Sequence, residues 1–265
     1  SSSSSSSSSS NGSSSSRSPN EPVARIIRQT AAELARLFNI TVPEAHLRPA
    51  ILYWSAKLHK SPPGARFIAA SNDCVTTILS SILSVCLSAI LRQLKTHSNI
   101  MKYKAFRGVN PCWVAQNSEN FLERIRRLNQ MKLAESIVTY DFTTLYTNLP
   151  QSDIIDELSW AIRLAFKASG KMYLCASGNY KAAWWSNKPR DATKRFDADT
   201  LCRMVKFLIN NIYIQCAPQT ISKKGILLKL CPLQTMEEKE IFCFYFLNLG
   251  ECGQQSRMRL DKVGI

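Results

Sequence analysis

The sequence lacks closely spaced cysteine pairs, which excludes the common zinc-binding modules. Its nine cysteines stand singly, with no C-x-x-C pair and no histidine at zinc-finger spacing. We interpret them as reduced thiols of an intracellular protein, most of them filling the core. The N-terminus also lacks a basic region followed by an apolar stretch, so we see no secretory signal and expect a nuclear or cytoplasmic location.

Acidic residues are scarce as well. The chain carries 19 Asp and Glu against 34 Lys and Arg, a formal net charge of +15. Such a basic balance indicates a polyanionic partner, most often nucleic acid, and the alternative is a basic protein without such a partner. With 265 residues and 45% hydrophobic content, the chain is long enough for one sizeable core, or for one domain and part of another.

One uncharged run approaches the length of a membrane span. Residues 74–91 contain no charge over eighteen residues. Their hydroxyl side chains recur every three to four residues, which gathers them on one face of a helix; they are Thr76, Thr77, Ser80, Ser81, Ser84 and Ser88. This spacing favours an amphipathic, mostly buried helix over a membrane span, and we predict no membrane partner.

Low complexity marks the start of the chain. Residues 1–20 are a serine tract that buries too little apolar surface to offset the entropy of ordering, so we predict disorder there. Residues 24–38 then show the apolar spacing of an amphipathic helix. Pro43 and Pro49 interrupt regular structure after it.

An extended pattern follows. LYWSAKLHK at residues 52–60 and ARFIAAS at residues 65–71 flank a Ser-Pro-Pro-Gly turn, which predicts a β-hairpin carrying Lys57, Lys60 and Arg66.

Later patterns mix helices and strands. Helices are predicted over residues 121–131, 154–170 and 201–210, the last capped by Asp199, with strands over residues 137–140 and 212–216 and a hairpin over residues 172–185. The fold class expected from this mixture is α+β.

Asp141 directly follows the predicted strand over residues 137–140. In α/β sheets this position at the end of a strand commonly carries functional groups. Taken by itself, the residue is more typical of a turn that it caps through its own backbone hydrogen bonds.

The residues around Asp141 favour a functional role for this aspartate. SIVTYDFTTLYTNLP, residues 136–150, resembles the first carboxylate block of the reverse transcriptases of Penelope-like retroelements, polymerases similar to that of telomerase. LYWSAKLHKSPPGARFIAAS resembles the fingers motifs of the same family. The resemblance covers residues 50–216 and implies the fingers and partial palm of a right-hand polymerase.

The resemblance divides the chain into five parts. They are a disordered tract (1–20), an N-terminal helical segment (21–49), a fingers-like region (50–135), a partial palm (136–224) and a divergent tail (225–265).

The resemblance also implies roles for individual residues. Asp141, with the backbone carbonyl of Phe142, would bind Mg²⁺, whose preferred ligands are hard oxygens. Tyr146 would lie against the sugar of a deoxynucleotide, although it equally suits a half-buried aromatic under the next helix. Lys57 and Arg66 would hold the triphosphate, since a guanidinium can bond two phosphate oxygens at once.

Partners follow from the same resemblance: an RNA template, a DNA primer and deoxynucleotides. The candidate nucleic-acid contacts are Lys60, Lys102, Lys104, Arg124, Arg126 and Arg127, to which Arg107 and Lys132 add charge. Charge runs of this kind are equally typical of a solvated face.

The sequence departs from the family at two later blocks. Residues 225–233 only partly match the family's glycine-rich block, and no Asp-Asp pair occurs in the 265 residues. One aspartate supplies too few oxygen ligands for two Mg²⁺ ions, so we expect this chain alone to be catalytically incomplete. The alternatives are a non-catalytic nucleic-acid-binding remnant and an unstable product without function.

Overall fold

The computed structural model describes residues 21–58, 61–62, 64–104, 118–130, 132, 150–188, 194–216 and 219–222. The serine tract, the predicted strand over residues 137–140 and the tail after residue 222 lie outside this part of the chain. Within it, helices pack around two small sheets, which agrees with the predicted α+β class.

Five helices and one short 3-10 helix, Glu44–His46, are described. The helices are α1 (Glu21–Phe38), α2 (Thr77–Lys104), α3 (Ser118–Gln130), α4 (Gln151–Ser169) and α5 (Ala198–Asn210). Each was predicted from its apolar spacing to within a few residues, except that α2 continues well beyond the uncharged run.

The strands form two sheets. They are β1 (Ala50–Lys57), β2 (Gly64–Ala70), β3 (Tyr173–Ala176), β4 (Ala183–Ser186), β5 (Lys194–Phe196), β6 (Tyr213–Cys216) and β7 (Gln219–Ser222). The first sheet has the order β2-β1-β6-β7 and the second the order β4-β3-β5. Both predicted hairpins, β1–β2 and β3–β4, are confirmed as antiparallel pairs.

α1 ends in a defined cap. Asn39 takes a left-handed conformation, with φ 54°, and the Ile40 N–H reaches back to the Leu34 carbonyl at 3.2 Å. The Lys194 ammonium donates to the Asn39 carbonyl at 2.9 Å and thereby ties β5 to the end of α1. Burial of this amine lowers its pKa below the ordinary lysine value.

α2 is the central helix of the core. Its buried apolar residues pack with those of α1, α4, α5 and the second sheet, among them Leu79, Ile82, Leu83, Cys86 and Ile90. In the described part of the chain, the stretch Thr77–Met101 is the one helical segment long and apolar enough to cross a membrane, and 56% of its apolar window is buried. The predicted burial of this helix is therefore observed.

The cysteines whose side chains the structure describes are buried, and Cys86 and Cys202 belong to this core cluster. Cys74, Cys86, Cys175 and Cys202 are free and buried. Burial, with a smaller contribution from Cys175, raises the pKa of the Cys86 thiol to about 12. Cys86 therefore stays protonated and unreactive at neutral pH.

Both ends of the connection between α4 and α5 are capped. α4 stops at Gly170, whose φ of 62° is left-handed and whose N–H bonds to the Phe166 carbonyl at 3.1 Å. α5 begins after Asp197, whose carboxylate accepts the Thr200 N–H at 2.7 Å. The predicted cap at Asp199 was wrong, because that carboxylate pairs with Arg163 at 2.7 Å instead.

We expect Asp197→Ala to lower the free energy of unfolding by about 1 kcal/mol, because the Thr200 N–H loses its acceptor. Hydrogen bonds from the Thr200 side chain and backbone lower the pKa of Asp197, so its stabilisation is present above the unfolded-state pKa near 4 and is lost as the pH falls through the folded-state value. Urea denaturation at pH 7 and pH 3 measures this. Asp197→Asn, which keeps an acceptor, should lose less at pH 7; an equal loss in both variants at both pH values would contradict the cap.

Candidate nucleotide and nucleic-acid interface

The β1–β2 hairpin carries the two cations of the predicted nucleotide site. Lys57 lies opposite Gly64, and Arg66 lies opposite Ser55. Because side chains alternate between the two faces of a strand, positions 55, 57, 64 and 66 share one face. Positions 57 and 66 are therefore diagonal to each other on that face.

The base of the hairpin is buried and its outer part is exposed. Ala50 and Ala69 are each 2% exposed and form a small cluster with Ile214 of β6. Further out, Tyr53 is 49% exposed and Trp54 is 66% exposed. The hairpin thus projects from the body with aromatic side chains open to solvent, which periodicity alone did not reveal.

A parallel strand pair holds the hairpin at its base. Ala50 pairs with Ile214, and Ile51 pairs with Gln215. The predicted fingers-like region and the predicted partial palm therefore contribute strands to one sheet. This long-range pairing has no local sequence signal, since the two segments are far apart in the chain.

An ion pair fixes the segment just before β1. Arg48 donates through Nη2 to Asp73 Oδ2 at 3.1 Å and through Nε to the Asp73 backbone carbonyl at 2.9 Å. His46 Nε2 lies 3.4 Å from Asp73 Oδ1, and the Val75 N–H donates to the Arg48 carbonyl at 3.1 Å. These contacts join the entry of β1 to the loop before α2. Sequence inspection did not single out Arg48 or Asp73.

The predicted metal site lies outside the described residues. This applies to Asp141, Phe142 and Tyr146, and the predicted contact Lys60 lies outside them as well. In the described ranges, no three His, Cys, Asp or Glu side chains come together in a group that could hold a metal ion. The magnesium site therefore stays a prediction.

The predicted nucleic-acid contacts fall on two helices. Lys102 and Lys104 lie in the last turn of α2, and Arg124, Arg126 and Arg127 lie on α3. Arg126 and Arg127 are exposed. Arg127 pairs with Glu123 at 2.5 Å, and both side chains are exposed. An exposed ion pair contributes little to stability, so Glu123 would compete only weakly with a phosphate for Arg127.

A small cavity lies between the hairpin base and the end of α5. Pro49, Ala50 and Val75 line one side, and Leu208 and Tyr213 line the other. Its volume of about 10 Å³ is at the lower limit for a single water molecule. A nucleotide does not fit there, so the open face of the hairpin remains the candidate site.

Comparison with protein-family models, curated proteins and solved structures finds no match to this chain.

Proposed function

We propose that this chain is a reverse transcriptase domain fragment of a Penelope-like retroelement that binds deoxynucleotides but does not polymerise them alone. The observation that carries the proposal is the register of the β1–β2 hairpin, which puts Lys57 and Arg66 diagonally on one face. The block around Asp141 and its likeness to that family's metal-binding motif support it from the sequence.

The hairpin suits a triphosphate. Two cations on one face can divide the phosphate oxygens between them, with Arg66 forming paired hydrogen bonds and Lys57 acting as a point charge. The anchored base of the hairpin favours tight binding, because little order then has to be gained when the nucleotide arrives.

Catalysis would need more than this chain supplies. In the proposed reaction, two Mg²⁺ ions activate a primer 3′ hydroxyl and stabilise the leaving pyrophosphate. Asp141, with the Phe142 carbonyl, would hold part of that pair. The aromatic-x-Asp-Asp block that completes the site in the family does not occur in these 265 residues. We therefore propose nucleotide binding without synthesis.

We expect the chain to bind a non-hydrolysable deoxynucleoside triphosphate with Mg²⁺, and Arg66→Ala to weaken that binding roughly tenfold or more. The reason is the loss of charge-assisted hydrogen bonds to phosphate, each worth about 1.5–3 kcal/mol. Lys57→Ala should weaken binding in the same direction. Isothermal titration calorimetry on the purified chain measures both.

Arg92→Ala serves as the matched control, because Arg92 is an exposed cation that belongs to α2 and not to the hairpin strands. It should bind nucleotide like the parent chain. Equal binding by all four proteins would contradict the proposed site. Template-dependent DNA synthesis by this chain, abolished by Asp141→Ala, would contradict the proposed lack of polymerisation.

A second candidate is a nucleic-acid-binding remnant that has lost nucleotide recognition. The net charge of +15 and the exposed Arg126 and Arg127 favour it. Nucleotide binding distinguishes the two candidates. RNA affinity that falls steeply with salt, together with no nucleotide binding in the calorimetric titration, would favour the remnant.

A further inference from the structure

The second sheet has one face in the core and one face away from it. Leu174 and Ala176 of β3, with Phe196 of β5, belong to the main core cluster. Trp185 of β4 packs edge-on against Phe166 of α4, with ring centroids 4.8 Å apart. Because side chains alternate along a strand, the neighbouring residues of each strand form the outer face.

Aromatic and cationic side chains meet on this outer face. Trp184 and Arg195 lie on either side of Cys175 in the paired register of the three strands. The Arg195 guanidinium lies over the Tyr173 ring, 5.5 Å from its centroid, within the range of a cation–π contact. Cys175 is fully buried, so the accessible surface of this row comes from the partly exposed Trp184, the partly exposed Tyr173 and the exposed Arg195.

Three exposed lysines lie at the two ends of the β3–β4 hairpin. Lys171 precedes β3 and Lys188 follows β4 at one end, and Lys181 lies in the turn at the other end. A strand of four residues spans about 13 Å, a distance that a short run of nucleotides can bridge.

The backbone at each of these lysines is held in place by a serine. The Lys171 N–H donates to Ser169 Oγ at 3.1 Å, and the Lys181 N–H donates to Ser177 Oγ at 3.1 Å. The Lys188 N–H donates to Ser186 Oγ at 3.0 Å. The attachment points of the three cations are therefore ordered before any ligand arrives, which lowers the entropic cost of binding.

The charge of the sheet is of one sign. Residues 171–188 and 194–196 contain five Lys and Arg and no Asp or Glu; the cations are Lys171, Lys181, Lys188, Lys194 and Arg195. Lys194 donates to the Asn39 carbonyl, so the cations left for a ligand are Lys171, Lys181, Lys188 and Arg195. A positive surface with partly open aromatic rings is complementary to phosphates linked by stacking bases.

We propose that the outer face of the β4-β3-β5 sheet binds a single-stranded polynucleotide. Bases stack on Trp184 and on the Tyr173–Arg195 pair, and phosphates contact Lys171, Lys181 and Lys188. A duplex keeps its bases stacked inside and gives these rings no partner. The site lies on different strands from the proposed nucleotide site and adds a binding surface to it, so it stands or falls independently of nucleotide binding.

The test uses the full chain and a fluorescein-labelled 12-mer of oligouridine, followed by fluorescence anisotropy. The triple variant Lys171→Gln, Lys181→Gln, Lys188→Gln should bind at least about tenfold more weakly at moderate salt and should lower the salt slope by about 2, as expected for three lost phosphate contacts. The control triple Arg25→Gln, Arg28→Gln, Arg36→Gln removes the same charge from exposed positions on α1 and should change the affinity less than threefold. Equal losses of affinity in the two triple variants would mean that binding depends on net charge alone, and this would overturn the proposal.

A second pair of variants tests stacking. Trp184→Leu should weaken oligouridine binding about tenfold, and Trp184→Phe, which keeps an aromatic face, should retain most of the affinity. Circular dichroism melting checks the fold of both. Three outcomes would each overturn the proposal: equal affinity of the two Trp184 variants, tighter binding of a 12-base-pair duplex than of the 12-mer, or no binding of the 12-mer. Comparable binding of a single-stranded DNA 12-mer would support it. None of these outcomes alters the calorimetric test of nucleotide binding at the hairpin.

Discussion

Leu83→Lys is expected to lower the free energy of unfolding by about 4 kcal/mol or more, a large part of the roughly 5–15 kcal/mol that stabilises a typical domain. Leu83 is 1% exposed in the first half of α2, within the core cluster that joins α1, α4 and α5. The substitution removes a buried apolar side chain and places an ammonium group among buried apolar side chains. Urea denaturation in detergent-free buffer measures the loss.

Ser88→Lys is the matched control on the same helix. Ser88 is partly exposed, so a lysine there can extend its charged end to water, and we expect a loss below about 1 kcal/mol. A helix that spans a membrane would respond differently, because lysine near its centre costs about 2.5–3.5 kcal/mol whichever face carries it. Equal losses at both positions, with detergent needed for solubility, would contradict the core role of α2.

Phe38→Ala is expected to lower the free energy of unfolding by about 3–5 kcal/mol. Phe38 is 8% exposed at the end of α1, and its ring meets Phe207 of α5 edge to face, with centroids 5.6 Å apart. The substitution leaves a cavity at one of the contacts that attach α1 to the rest of the core, and it also removes the aromatic pair. Thermal and urea denaturation of the purified chain measure the change.

Leu37→Ala tests whether the effect belongs to that contact. Leu37 is the neighbouring residue and is 37% exposed, so its truncation removes much less buried surface. We expect a loss of about 1 kcal/mol or less. A loss as large as that of Phe38→Ala would mean that α1 packs through a different face from the one described.

Local patterns predicted the helices well because each one carries its own signal. The apolar spacing of α1, α4 and α5 follows the helical period, and Gly170 marks the end of α4 through its left-handed conformation. The cap of α5 was misplaced by two residues because Asp197 and Asp199 are both suitable residue types. Only the packing of α4 beside α5 decides that Asp199 pairs with Arg163 while Asp197 caps the helix.

The candidate sites likewise differ in how far the sequence alone identified them. Lys57 and Arg66 were identified from motif letters, and the hairpin register then put both on one face. The surface formed by Trp184, Arg195 and the three serine-held lysines was not identified from the sequence. β5 is only three residues long, and the register that puts Arg195 over Tyr173 depends on its pairing with β3.

By itself, the sequence determined the basic charge, the likeness of residues 136–150 to a carboxylate block, and most helix and hairpin positions. These properties depend on composition and on neighbours within a few residues. The tertiary structure alone decided that β1 pairs with β6, that Arg48 binds Asp73, and that α2 packs against α1, α4 and α5. Such contacts join residues distant in the chain, and their stability comes from burying shared surface, which no local pattern encodes.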